Sequence, residues 1–214
     1  MNQDNSNPKD LLAKFDRNNT TELYTPKLIV KFRDAFVDDM SSGRYMSLNQ
    51  VNHTPIEVIY APKFGGLYSI IMVDPDAPDP KNPNQADWLN WMVLNIPEDR
   101  IQEGDTIADY NPPSPPSGCH RYLIYLFYQA SGKINGAHLT YKNICKTKNE
   151  DIKLRCGFDT KSFVKRYGLC YIDHVVFVNS PVDLMKSCSN KKVRDVARKT
   201  IHEIDCKMEQ RKLY

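Results

Sequence analysis

The chain has 214 residues, with 29 Lys and Arg against 26 Asp and Glu for a formal net charge of +3. A chain of that size buries most of the surface its unfolded form exposes, so one domain needs no staple to hold it. No run approaches the roughly 18 apolar residues of a membrane span, and the polar, asparagine-rich stretch Met1 to Asp10 does not read as a secretory leader.

Residues 1–9 read as disordered. Pro8, with Leu11, Leu12 and Phe15 behind it and Asn7 as cap, opens a short expected helix that Asn18 and Asn19 end. Leu28 to Phe32 is an expected strand. From Val51 the pattern shortens: Ile56 to Tyr60 reads as strand, Ala61 to Gly66 as turn and Leu67 to Val73 as strand. Short strands separated by turns at such intervals predict a mainly β protein, an antiparallel Greek-key β-sandwich with peripheral α-helices.

The stretch from Leu67 to Gln129 carries the chemistry. The apolar run Ile70 to Val73 breaks into Asp74-Pro75-Asp76-Ala77-Pro78, which delivers two carboxylates onto a proline-fixed turn. Trp88 to Ile96 reads as a second strand. With side chains two apart sharing a face, Trp88 and Asn90 point one way, and Leu89 and Trp91 the other. A proline-rich loop, Asn111 to Gly118, then enters Cys119-His120-Arg121-Tyr122 and the two-sided apolar run Leu123 to Tyr128, expected to be a central strand. His120 and Tyr122 share a face and Arg121 points away. The three strand ends are expected to meet around one polar pocket.

Beyond that stretch, residues 142–155 form a basic segment read as a loop or insertion, Phe158 to Tyr167 has helical spacing, and Ile172 to Val178 reads as the last strand. After Pro181, Val193, Val196, Ala197, Thr200, Ile201, Ile204 and Met208 make one apolar stripe of an amphipathic helix. That helix packs on the domain, pairs with another chain or lies on a membrane surface. The organisation expected is a disordered 1–9, a β domain over 10–181 and a helical extension over 182–214.

Charge follows this division. Residues 1–132 hold 11 Lys/Arg and 17 Asp/Glu, a net of −6; residues 133–214 hold 18 and 9, a net of +9. The basic half suits an acidic partner or peripheral contact with an anionic membrane. No aromatic-studded basic stripe or zinc-finger spacing supports nucleic acid. The six cysteines show no CxxC spacing and read as free thiols in a reducing, cytoplasmic compartment. His138, His174 and His202 lie far from the motifs and no HxxxH occurs, so no metal site or cofactor is expected.

A carboxylate beside His120 favours the imidazolium, and imidazolium, phenol and loop N–H groups are donors suited to a phosphate. Two carboxylates with an indole face suit an ammonium. Together these match a zwitterionic head group. Arg121 reads as an ion-pair partner for one of the aspartates, and Asp76 as structural support.

The runs Met72 to Pro78, Trp88 to Ile96 and Gly118 to Tyr122 resemble, in order and spacing, the two signature regions of the phosphatidylethanolamine-binding protein family, which includes the Raf kinase inhibitor proteins and the plant flowering-time regulators. The resemblance implies an antiparallel β-sandwich with a small anion pocket. Asp74, Pro78, Trp88, His120 and Tyr122 match pocket positions, and Pro113 and Pro115 match prolines of the plant-type loop. Asn90 stands where the family usually has a second histidine, and it keeps hydrogen-bonding capacity without a cationic form. Phe177 is a poor match for the aromatic that closes the pocket in some members.

A binding and regulatory protein for a phosphate-bearing small molecule or phospholipid head group is therefore the first expectation. A module that inhibits or scaffolds a protein kinase or protease is the second. A hydrolase ranks last: no GxSxG elbow exists, and Cys119 faces away from His120 in an extended chain. No catalytic residue is assigned.

Overall fold

The computed structural model describes residues 28–140, 144–145 and 155–181. The expected disordered start, the Pro8 helix, most of the 142–155 segment and the helical extension over 182–214 lie outside the described residues.

Among the described residues, nine strands make two sheets. The smaller has the order β2-β1-β4, with β1 at Ile29–Phe32, β2 at Ala35–Val37 and β4 at Glu57–Ile59. The larger has the order β3-β9-β8-β5-β6-β7. Its strands are β3 (Arg44–Tyr45), β5 (Leu67–Asp74), β6 (Trp88–Pro97), β7 (Asp105–Ala108), β8 (His120–Gln129) and β9 (Leu169–Asn179). Helix α1 spans Leu48–Val51 and α2 spans Thr160–Tyr167, with Asp159 capping α2 through its carboxylate on the Ser162 N–H. The protein is mainly β with few helices. The expectation of a wholly antiparallel fold is corrected at one edge: β3 runs parallel to β9.

The two faces of the large sheet pack differently. On one face, Tyr68, Ile70, Met72, Trp91, Tyr122, Ile124 and Phe177 meet Val30, Phe32, Val37 and Val58 of the small sheet. On the other, Ile71, Val73, Leu89, Met92, Leu123, Tyr125 and Phe127 pack beneath Phe158, Phe163 and Val164. Central strands β5 and β8 are covered on both sides, which is why their sequences read as nearly unbroken apolar runs.

Strand β6 departs from simple alternation. Met72 pairs with Trp91 but Val73 pairs with Leu89, so Asn90 is an extra residue, a β-bulge. Leu89 and Trp91 therefore pack on opposite faces of the sheet, which corrects the expectation that they share one. A second shift lies between the Tyr68–Ile96 and Ile70–Val93 pairs, where Asn95 takes a left-handed φ of 56°. Asparagine tolerates that conformation better than most residues. Its buried amide donates to Asp105 Oδ2 at 2.7 Å and Ile134 O at 2.8 Å, and accepts from Gln129 Nε2 at 2.8 Å.

Candidate functional site

The expected turn after β5 is held from within. Asp74 Oδ1 accepts the Asp76 N–H at 2.8 Å, and the Ala77–Pro78 peptide is cis. Asp76 turns away from the pocket and takes a two-pronged ion pair with Arg121, Nε to Oδ2 at 2.8 Å and Nη2 to Oδ1 at 2.6 Å, while also accepting the Arg121 N–H. Asp76 and Arg121 are thus the clamp between the β5 turn and the start of β8.

His120 is fully buried. Its Nδ1 lies 2.7 Å from Asp74 Oδ2 and its Nε2 lies 2.9 Å from the Ser117 carbonyl. A carbonyl only accepts, so Nε2 carries a proton, and a carboxylate opposite Nδ1 favours a second one. Burial pulls the His120 pKa down, but the Asp74 hydrogen bond and the charges of Asp74 and Asp76 outweigh it and hold the pKa above its ordinary value. Both ring nitrogens of His120 are engaged by the protein, Nδ1 by the Asp74 carboxylate and Nε2 by the Ser117 carbonyl.

Tyr122 completes this cluster. Burial first, then the Asp74 charge, raise the pKa of its hydroxyl, which therefore stays protonated and able to donate. Its ring stacks on Phe177 at 5.2 Å and 19°. Phe177 is fully buried behind Tyr122 and supports that ring.

The loop before β8 is tied to the same turn. Ser117 Oγ donates to Asp79 Oδ2 at 2.7 Å, a bond that holds the Asp79 carboxyl below its ordinary value. Gly118 has a φ of +70°, and a Cβ there would lie 3.0 Å from Pro80 Cδ.

Together these elements enclose a cavity of about 220 Å³ whose wall includes Asp74, Pro78, Trp88, Asn90, His120 and Tyr122. The motif residues from three separate strand ends do converge there. Pro113 and Pro115 do not: both are buried, and Pro112, Ser114 and Pro116 line the cavity instead. The loop is extended, so alternate residues face opposite ways, and the two matched prolines anchor it from behind. Ala77, Gln85 and Asn111 also reach the wall and were not singled out by the motifs. Period-two alternation along Asn111 to Pro116 is the signal that would have found the loop residues.

Arg155 was read as part of a basic surface segment. Its Nη1 instead donates to three carbonyls, Leu89 at 3.2 Å, Asn90 at 3.1 Å and Asp109 at 2.8 Å, and its own carbonyl accepts the Leu89 N–H at 2.7 Å. It pins the β6 bulge. Near that bulge, burial raises the Asp87 pKa to about 6 despite the Thr160 hydroxyl bonded to it at 2.6 Å.

A larger cavity, about 520 Å³, lies between Leu139, Phe158, Phe163 and Tyr167. It contains none of the motif residues. The smaller one holds the motif residues and the buried His120–Asp74 pair, and is the candidate site.

Cysteine usage corrects one expectation. Cys145, Cys156 and Cys170 are free thiols, but Cys119 is disulfide-bonded. Cys188 and Cys206 lie outside the described residues.

Known proteins share this chain's sequence and fold. Rice "Protein MOTHER of FT and TFL1 homolog 2" is 29% identical over 161 residues, covering 74% of this chain and 84% of that protein. "Putative odorant-binding protein A5" of Drosophila melanogaster is 40% identical over 125 residues, covering 55% of this chain and 56% of that protein. The match to Arabidopsis thaliana "Protein TWIN SISTER of FT" is 38% identical over 92 residues, covering 42% of this chain; it spans about half that relative's length, 53%. Among solved structures, the phosphatidylethanolamine-binding protein from Plasmodium vivax shares the fold at a TM-score of 0.56 and 16% identity, covering 80% of this chain and 94% of that one. A carboxypeptidase Y inhibitor, solved in complex with its cognate proteinase, does so at a TM-score of 0.55 and 19% identity, covering 73% and 85%. The family profile described as phosphatidylethanolamine-binding protein matches residues 37–167, and the chain belongs to that family.

Proposed function

We propose that this chain is a non-catalytic binding and regulatory protein whose pocket takes a phosphate-bearing group, of which a phosphatidylethanolamine-type head group is the fitting example. The observation that carries this reading is the convergence of the buried His120–Asp74 pair, Trp88 and Tyr122 on one cavity of about 220 Å³. That volume is below the roughly 300–1,000 Å³ of pockets for drug-sized molecules, so it admits a head group and leaves acyl chains outside. The His120–Asp74 ion pair lies at the floor as a neutral, oriented pair. Trp88, Asn111 and Ser114 stand partly open to solvent and bring an indole N–H, an amide and a hydroxyl to the wall.

Calorimetric titration with phosphorylethanolamine tests the reading. Saturable binding that weakens at least about tenfold in Trp88→Ala, with the fold retained, is expected. Equal binding by both proteins would remove the pocket from the account.

A second reading rests on the carboxypeptidase Y inhibitor that shares the fold. Here the chain acts by binding a protease, and the pocket only modulates that contact. Inhibition of a carboxypeptidase that survives Trp88→Ala would favour it over the first.

A further inference from the structure

Cys119 is disulfide-bonded, whereas Cys145, Cys156 and Cys170 are free thiols. Of the six cysteines only Cys188 and Cys206 are left to bond it, so the bridge ties the loop before β8 to the stretch of chain that follows β9. That loop has no regular structure between Ala108 and His120, yet Pro112, Ser114 and Pro116 form part of the cavity wall. Its noncovalent ties include the Asn111 N–H on the Asn90 carbonyl at 2.7 Å, Ser117 Oγ on Asp79 at 2.7 Å and the Ser117 carbonyl beside His120 Nε2 at 2.9 Å.

Strand register locates the other sulfur. Strands β8 and β9 run antiparallel with His120 opposite Asn179, so Cys119 and Ser180 are the next pair outward and the chain leaves β9 beside Cys119. A disulfide needs its two Cα atoms within roughly 7 Å of each other. Cys188 returns to that point over eight residues from Ser180, and Cys206 over 26. With closure falling as the 3/2 power of loop length, the shorter return is about sixfold more probable.

Access separates this bond from the other described sulfurs. Cys145, Cys156 and Cys170 are buried, and burial pushes the Cys145 thiol up to about 12, where it stays protonated and inert to exchange. Cys119 is partly exposed, so a dithiol reaches its bond first. One thiolate of the dithiol attacks a bridge sulfur, the S–S bond breaks, and the other bridge sulfur leaves as a thiolate that takes up a proton. The second thiol then closes the reductant's own disulfide and releases the first bridge sulfur. Two electrons and two protons pass to the protein.

We propose that Cys119 is bonded to Cys188 and that this bond is a reducible brace on the pocket wall. Closed, it fixes the 111–118 loop against the cavity; opened by a dithiol, it frees that loop while the sheets stay folded.

Two measurements on the whole chain test this. Trypsin digestion without reductant, read by mass spectrometry, is expected to give fragment 101–121 linked to fragment 187–191, and linkage to fragment 200–207 instead overturns the pairing. That map needs only the wild-type chain. Backbone ¹⁵N relaxation reads the brace in the folded state. The order parameters of Ser114, Ser117 and Gly118 are expected near ~0.85 in the bonded chain and to fall to about 0.6 with dithiothreitol, or in Cys188→Ser without it, while Ile71 and Ile124 in the central strands stay rigid. Cys206→Ser is expected to match the wild type. Loop order parameters unchanged by reduction overturn the brace. Loss of order that spreads equally to Ile71 and Ile124 overturns it too, because the bond then supports the whole fold rather than the pocket wall.

Discussion

Replacing Asp74 with Asn probes the buried pair at the centre of the pocket. In the wild-type chain the His120 pKa is held above its ordinary value, so the folded state binds the proton more tightly than the unfolded one. The stabilisation is complete below the unfolded pKa near ~6.5 and is lost as pH rises through the folded value. In Asp74→Asn the carboxylate is gone while burial, the largest influence on His120, remains, opposed only by the Asp76 charge and the Ser117 carbonyl, so the His120 pKa falls. The unfolded state now binds the proton more tightly, so this group's contribution to stability rises with pH through the same window. The loss at pH 6 is about 3–5 kcal/mol, the cost of breaking a buried ion pair, and it shrinks as His120 deprotonates. Urea unfolding of both proteins from pH 6 to 8.5, with His120→Gln as the reference, gives the two slopes. Slopes of the same sign relative to that reference would refute the reasoning.

Other consequences follow from the same contacts. Arg155→Ala removes donors from the Leu89, Asn90 and Asp109 carbonyls and is expected to cost about 2–4 kcal/mol in urea unfolding, with exchange of the Leu89 amide accelerated. Arg155→Lys should not rescue it fully, since an ammonium cannot reproduce the planar guanidinium's contacts. Gly118→Ala forces an L-residue into a left-handed φ against Pro80 and should cost about 1–2 kcal/mol while weakening head-group binding. Asn95→Leu strips the partners of Asp105, Gln129 and Ile134 and should lower stability by about 3 kcal/mol or more, read as a shift in the urea midpoint. Alkylation of the unfolded, unreduced chain should label Cys145, Cys156 and Cys170 and leave Cys119 unmodified until reductant is added.

Much of the large sheet was legible in the sequence because its strands are buried on both faces. Leu67–Asp74 and His120–Gln129 announce themselves as apolar runs bounded by prolines or polar residues, and the helix at Thr160–Tyr167 by its spacing. The short pieces were not legible. Arg44–Tyr45 is a two-residue parallel bridge to β9, made by pairing across more than a hundred residues rather than by any local pattern. The bulge at Asn90 was equally hidden, because register is set by the partner strand and period-two reasoning assumes no extra residue.

For the site, residue type and order were enough to bring Asp74, Trp88, His120 and Tyr122 together, but not to say which atoms remain free. His120 was read as a donor to a phosphate, yet the Ser117 carbonyl takes its second N–H, a contact three residues away that a loop conformation decides. Pro113 and Pro115 were assigned to the cavity, and the extended loop turns their neighbours inward instead. Arg155 looked like one charge among many on a basic surface. Its three carbonyl contacts, two of them at the β6 bulge, join segments far apart in the chain and have no local signature.

The most direct test is a backbone amide NMR titration of the intact chain with phosphorylethanolamine. The account predicts saturable shifts confined to the segments around Asp74, Trp88 and Asn90, Asn111 to Ser117 and His120, with little change elsewhere. Shifts absent at millimolar ligand, or spread instead over the cavity beside Phe163 and Tyr167, would contradict it.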